Sequence, residues 1–262
     1  MPHRRLPNTI ASVIRTLVTA RDQYIATPTP SERAITAEQF AKLDPSNPAS
    51  LLNRIIKEAT DVDVALAAQA PLSSALAQIA ARATLFASHF NQVLDLGIIR
   101  GTFAAGARAY YGRGIHDTAI PDLSTYAAVQ TALDHIVRGE AQRLAAEGPA
   151  YIPMALPSAG ECAGIFSQFI SALRNNSDAQ QNTDTQREQL QALYTEAQAL
   201  AVDLCDTVEF FYRHDRDPGS FRTKCRRWGV VYIYDANEPR DPDDTTGPGT
   251  GGLPPVSPPP PV

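Results

Sequence analysis

Residues 71–93, PLSSALAQIAARATLFASHFNQV, contain the clearest repeating pattern in the chain. Apolar side chains recur there at alternating steps of four and three residues, at Leu72, Leu76, Ile79, Ala83, Phe86, Phe90 and Val93. An α-helix places such positions on a single stripe, because its turn contains 3.6 residues. The pattern therefore predicts a helix that packs lengthwise against neighbouring helices.

Helical spacing of apolar residues continues on both sides of this stretch. It predicts further helices over residues 10–25, 36–43, 48–66, 124–144, 159–173, 190–211 and 221–228. Cap signals support several of these helices, at Asn47-Pro48, at the Ser158/Glu161 capping box and at the stop signal Gly148. Repeated helices with short connections predict an all-α, up-and-down bundle of about five or six main helices.

Three stretches interrupt the helical pattern. Five glycines within residues 97–114 predict a connection with at most short helical pieces. Residues 174–189 are almost wholly polar, which predicts either a loop or a hairpin tip that projects beyond the core. Residues 230–234, VVYIY, form a β-type run. This run must lie against the bundle, pair with a short partner segment or add to a neighbouring chain.

The composition changes near the end of the sequence. Beyond Asn237 the residues are mostly Pro, Gly, Asp and Thr, and the chain ends in PPVSPPPPV. Such a segment buries too little apolar surface to order itself, so we expect it to be disordered. We therefore divide the sequence into N-terminal helices (1–46), a bundle core with an extended segment (47–235) and a disordered tail (236–262).

Composition also narrows the class of protein. The net charge of −5 does not favour nucleic-acid binding. Cys162, Cys205 and Cys225 form no CxxC pair, which suits free thiols in a reducing compartment and predicts a cytoplasmic protein, with a secreted protein that has no disulfides as the alternative. Polar residues at positions 8, 9 and 15 break the apolar run that a signal peptide needs. We also expect no membrane span.

The sequence contains no complete motif for catalysis, cofactor binding or metal binding. The glycines of residues 101–108 have P-loop spacing, but the Lys and the Ser/Thr that hold phosphate and magnesium are missing. The histidines at 89, 116, 135 and 214 are too far apart for a local zinc pattern, and no GxSxG elbow occurs. We therefore expect no cofactor and favour a protein that is not an enzyme.

One basic segment, residues 213–227, remains as a candidate for interaction. Its candidate residues, with the adjacent tryptophan, are Arg213, Arg216, Arg222, Lys224, Arg226, Arg227 and Trp228. Arginine beside aromatic rings can bind phosphates or stacked bases. Cations near a helix end also favour the helix dipole, and Asp215 and Asp217 offer local partners. We expect the structural role and no binding of nucleic acid.

Several short motifs resemble a group of uncharacterised bacterial helical-bundle proteins. They are SHFNQV (88–93), RAYYG (108–112), IPDLS (120–124), GEA (139–141), EFF (209–211) and RRWGVVY (226–232). The resemblance covers roughly residues 80–235 and implies a helical bundle without any assigned activity. Cys225 stands where that group is expected to have another residue, which argues against a shared thiol function.

The expected function is thus non-enzymatic: a structural or protein-interaction helical bundle that associates with itself or with a protein partner. Two alternatives stay open. One is a small-ligand-binding bundle that uses the Gly-rich segment 97–114 as a pocket wall. The other is a polyanion-binding protein that uses the basic segment 213–227.

Overall fold

The structure is a computed structural model that describes residues 2–235 and 240–241. It confirms the all-α class. The helices in chain order are α1 (Ile10–Ala26), α2 (Ala37–Ala41), α3 (Leu51–Ile99), α4 (Ala107–Tyr110), α5 (Tyr126–Glu147), α6 (Ala159–Tyr212) and α7 (Pro218–Arg227). Two short strands accompany them, β1 (His3–Arg5) and β2 (Val231–Ile233).

The chain folds into two compact units. Unit 1 combines Met1–Thr60 with Arg187–Val262, and unit 2 is Asp61–Gln186. Helices α3 and α6 each contribute residues to both units. Unit 1 therefore joins stretches of chain that are distant in the sequence.

Unit 1 is organised around α1. Its stripe of Val13, Leu17 and Ala20 is fully buried. The helix is capped by Thr9, whose hydroxyl accepts from the Ser12 amide. Gly229 passes so close to α1 that an added Cβ would lie 2.9 Å from the Thr16 carbonyl oxygen. Only glycine fits there without strain, because φ at Gly229 is +93°.

The β-type run finds its partner within the same chain. β2 pairs antiparallel with β1, with His3 opposite Ile233 and Arg5 opposite Val231. Of the three arrangements predicted for this run, the structure shows pairing with a short segment of the same chain. The pairing satisfies backbone groups that a lone strand would leave open.

Helix α3 joins two stretches that the sequence suggested as separate helices. It runs for 49 residues with Pro71 inside it. Proline cannot donate to the carbonyl of residue 67, four positions earlier. Ala67 and Pro71 are both exposed, so water can bond to that carbonyl. This exposure is why the helix continues.

Helix α6 corrects the prediction for residues 174–189, which are neither a loop nor a hairpin tip. They lie in the middle of a continuous helix of 54 residues. Gln and Arg have good helix propensity, and α3 supplies hydrogen-bond partners. Thr183 donates to Gln69 at 3.0 Å, and Ser73 donates to Asn176 at 2.8 Å. The helices predicted as separate on either side of Pro71, and those on either side of residues 174–189, are each joined into one helix.

The core of unit 2 lies around the second half of α3. Phe90 is fully buried, as its place in the predicted seam requires, while Phe86 is partly buried against the same core. Phe90 meets the Tyr111 ring edge-on, with 4.9 Å between centroids. Leu133 of α5 and Phe169 of α6 complete the fully buried centre.

Candidate functional site

The basic segment lies mainly on α7, where three of its cations are neutralised within unit 1. Arg222 donates to both carboxylate oxygens of Asp241, at 2.8 and 2.6 Å. Arg226 donates to the same carboxylate at 2.9 Å and also contacts the Tyr234 hydroxyl. Lys224 donates to Asp215 at 2.6 Å. These cations are therefore engaged and do not form a free positive face.

The carboxylates of these pairs are held in the charged form. The hydrogen bond from Arg222 holds the pKa of Asp241 well below its usual range. The hydrogen bond from Lys224 lowers the pKa of Asp215 to about 2. Asp241 lies inside the predicted disordered tail, yet it is buried and bonded. The rest of that tail, apart from Arg240, lies outside the described residues.

The other candidate residues of the basic segment are either buried in the core or exposed. Trp228 is almost fully buried, and its indole N–H donates to the Tyr212 hydroxyl at 3.1 Å. It is thus a core residue and offers no ring for stacking. Arg213, Arg216 and Arg227 are exposed. Among residues 2–235 and 240–241, none of these three arginines forms an ion pair with a carboxylate.

The Gly-rich segment does form part of a cavity wall. A cavity of about 380 Å³ in unit 2 is lined by Asn91, Tyr111, Gly112, Pro121, Asp122, Ala127, Ala128, Thr131, Ala132 and His135. Its two buried polar side chains are already engaged. The Asn91 amide donates to the Ala87 carbonyl at 2.8 Å and accepts from Arg113 at 3.2 Å. The Tyr111 hydroxyl donates to Glu140.

A buried ionic network behind this cavity fixes the Gly-rich segment to α5. Glu140 accepts hydrogen bonds from Tyr111, from Tyr151 at 2.5 Å and from the Met154 amide at 3.3 Å. The fully buried Arg143 donates to Glu140 at 3.2 Å and to the Ile152 carbonyl at 2.7 Å. All the groups that face Glu140 are therefore donors, which suits an anchoring role.

The charge state of the network follows from these contacts. Burial alone would raise the pKa of Glu140, but the hydrogen bonds from Tyr111, Tyr151 and Met154, together with Arg143, hold that pKa below its usual range. Burial, then the bond to Glu140, raises the pKa of Tyr111. Glu140 is thus an ion and Tyr111 is neutral at physiological pH.

Sequence reasoning missed this network and a second one next to it. Asp95 pairs with Arg108 at 2.8 Å and with Arg113 at 2.9 Å, and both arginines are buried. One signal in the sequence pointed to the first network. Glu140 and Arg143 lie three residues apart on the same face as Leu133 and Ile136, where a helix otherwise presents apolar residues.

The three cysteines are unsuited to nucleophilic chemistry. All are free and buried. Burial raises the pKa of Cys162 to about 12 and those of Cys205 and Cys225 to about 11. Within the described part of the chain, no group of three His, Cys, Asp or Glu side chains is placed to hold a metal ion.

Models of known protein families, curated proteins and solved structures contain no match to this chain. The resemblance to a bacterial helical-bundle group therefore stays a prediction from short motifs.

Proposed function

We propose that the protein is a non-enzymatic interaction module and that two copies associate through the middle of α3. The observation that carries this proposal is the neutral stretch, residues 64–81. No charged residue lies between Asp63 and Arg82, yet most of the stretch is exposed. Val64 is 62% exposed and Leu66 is 38% exposed. Exposed apolar surface of this kind is typical of an interface.

The chain itself supplies little to cover the neutral stretch. Ala65, Leu76 and Ala80 are buried and account for one side of the helix. Asn176 and Thr183 of α6 contact the neutral stretch, and they lie in a section of that helix that is almost wholly polar. It meets α3 through the hydrogen bonds of Gln69 and Ser73 described above. The remaining face of α3 is available to a partner.

The absence of charge on the neutral stretch favours a second copy as the partner. Two copies related by a twofold axis present the same face to each other, so no ion is buried without a counterion. A strongly charged partner would lose hydration there and gain no ion pair. The many alanines also let two helix backbones approach closely.

The size of the stretch sets the expected strength. Eighteen helical residues are about 27 Å long. One face of a helix of this length buries less than the area of about 800 Å² that each partner contributes to a standard interface. We therefore expect a reversible dimer that forms in the micromolar range.

A membrane is the competing partner for the same surface. By length and composition alone, α3 is long and apolar enough to cross a bilayer. The polar section of α6 argues for protein, because it includes Asp178 and Asp184, which share that section with the Asn176 and Thr183 that bond to the neutral stretch. Taking those charges into lipid costs several kcal/mol.

Sedimentation velocity across the micromolar range tests the proposal. The expected result is a monomer–dimer equilibrium that Val64→Lys and Leu66→Lys each shift to monomer, because a buried lysine would have no partner. Gln181→Lys, an exposed change on α6, is the matched control and should leave the dimer intact. A chain that stays monomeric at every concentration contradicts the proposal. Flotation of the protein with liposomes, lost in Val64→Lys, assigns the stretch to membranes instead.

The small-ligand alternative is supported by the 380 Å³ cavity beside Gly112. It ranks second because Asn91 and Tyr111 already have partners inside the protein. Polyanion binding is less supported still, since Arg222, Lys224 and Arg226 are paired with carboxylates.

A further inference from the structure

A second exposed apolar surface lies in unit 1 and differs from the neutral stretch in having aromatic rings and positive charge. We call it the aromatic groove. It has a volume of about 530 Å³, and its main lining residues are Tyr24, Pro30, Arg33, Phe210, Phe211 and Arg213. Phe210 is 65% exposed, with the Arg213 guanidinium over one face of its ring. A phenyl ring left this open indicates a binding surface.

The two arginines of the aromatic groove lie against rings and not against carboxylates. The Arg213 guanidinium lies 3.7 Å from the centroid of Phe210, and the Arg33 guanidinium lies 4.3 Å from that of Tyr24. Arg33 is also fixed by donating to the Thr27 carbonyl at 2.8 Å. Within the described residues neither arginine has an ion pair with an acidic side chain.

This combination defines the chemistry of the occupant. The Tyr24 ring lies between Phe40 and Arg33, so the rings of Phe210 and Phe211 are the aromatic surfaces left to bind a polyproline II segment, which is preformed and loses little entropy on binding. The carbonyls of such a segment have no internal hydrogen bonds, so the N–H groups of Arg213 beyond the one that bonds to the Phe210 carbonyl can donate to them. The groove lining contains two arginines and no acidic residue, so it also favours a segment with negative charge.

The chain carries a segment of this type. Residues 242–262 contain two acidic residues, Asp243 and Asp244, and no basic residue. They end in LPPVSPPPPV, in which Pro255 and Pro258 have PxxP spacing. We propose that the aromatic groove is the docking site for this C-terminal segment of the same chain. The segment lies outside the described residues, so the proposal rests on the groove, on Asp241 and on the sequence.

Asp241 makes the connection within one chain feasible. It is held on α7 by Arg222 and Arg226, so the segment starts from unit 1, to which the aromatic groove also belongs. Its 21 residues reach about 65 Å at about 3.1 Å per residue in polyproline II. A compact unit of this size has a radius of gyration of about 14 Å. The reach is ample, and the short tether gives a high effective concentration.

A spin label on the full chain tests the proposal directly. Ser257→Cys introduces a reactive thiol, while the three native thiols are buried and protected. The expected result is paramagnetic broadening of amide signals of groove residues such as Tyr24 and Phe211, with no dependence on protein concentration. An excess of unlabelled peptide with the sequence of residues 242–262 should relieve the broadening by competition.

Matched variants separate docking from general proximity. Phe210→Ala should abolish the broadening, and Arg213→Gln should weaken it and remove its salt dependence. Arg227→Gln changes an equally exposed arginine outside the groove and should have no effect. Lack of broadening at the groove overturns the proposal. Broadening that rises with protein concentration, also in the Val64→Lys background, assigns the bound segment to another copy and overturns docking within one chain.

Discussion

Two neighbouring stretches of α3 both lack charged residues but have opposite surroundings. Residues 64–81 are rich in alanine and leucine, residues 83–94 are a mixed stretch that includes Phe86 and Phe90, and neither contains Asp, Glu, Lys or Arg. In the second stretch Ala83, Ala87, Phe90 and Leu94 are fully buried in the core of unit 2. In the first, most residues are exposed.

The two stretches differ in which other parts of the chain contact them. Residues 83–94 meet α4, α5 and the apolar start of α6. Residues 64–81 meet the polar middle of α6. Burial of an apolar helix is therefore decided by its partners and not by its own composition, and the following substitutions test that conclusion.

The largest effect is expected in the buried stretch. Phe90→Ala should lower the free energy of unfolding by about 3 to 5 kcal/mol, because it leaves a cavity in a closed core. Leu85→Ala, at a position that is 49% exposed on the same helix, should cost less than about 1 kcal/mol. Urea denaturation of both variants measures this. Equal losses would mean that the two faces of α3 are equally buried.

The second-largest loss of stability is expected where α4 and α5 approach each other closely in the buried region. A Cβ at Gly139 would lie 2.2 Å from the Tyr110 carbonyl oxygen. Gly139→Ala should therefore destabilise by about 1 to 3 kcal/mol, although alanine is the better helix former. Gly164→Ala, on an open face of α6 with nothing within 4 Å, should instead stabilise by about 0.5 to 1 kcal/mol. Thermal unfolding that shows the same sign for both contradicts the close approach.

Two adjacent arginines extend the comparison to charged residues. Arg226 has Asp241 as partner, while Arg227 is exposed and has none within the described residues. Arg226→Gln should cost about 1 to 2 kcal/mol, and Arg227→Gln less than about 0.5 kcal/mol. The sequence predicts the same structural role for both arginines, whereas the structure separates them. Denaturant midpoints that rank the two variants the other way would contradict this difference.

The same pairing predicts a pH dependence. The native pKa of Asp241 lies below its ordinary value of 3.8, so the stabilisation is complete above pH 3.8 and is lost as the pH falls through the native value. Asp241→Asn should be less stable than the original chain at neutral pH. The gap should close in acid, as measured by urea midpoints at both pH values. A gap that stays constant would show that the Asp241 carboxylate is not the titrating group.

The smallest effect on stability is expected in the exposed stretch. Val64→Lys should change the free energy of monomer unfolding by no more than about 0.5 kcal/mol, because the side chain stays in water. Its effect on association should be large. Chemical denaturation at low protein concentration measures the first quantity separately from the second. A loss of several kcal/mol would place Val64 in a core and remove the basis for the proposed interface.

Sequence by itself determined the helical class and many helix ends. The seam of residues 72–93, the Ser158/Glu161 capping box and the Gly148 stop all occur as predicted. These signals are local, because side chains within one or two turns decide whether a helix forms, starts or ends. Within the candidate site, the sequence identified the basic segment and its aromatic neighbours. It also predicted Asp215 as a local partner for the basic side chains.

Tertiary structure alone decided which of those residues have partners. Arg226 and Arg227 are adjacent and chemically identical, and only the position of Asp241 separates a bonded cation from an exposed one. The pairing of β2 with β1 joins residues 231–233 to residues 3–5, and α3 continues through Pro71 where Ala67 and Pro71 are both exposed. The first depends on groups distant in the chain, and the second depends on access of water. A local pattern of residue types predicts neither the contacts between distant segments nor the access of water, because both are set by the packing of the whole chain.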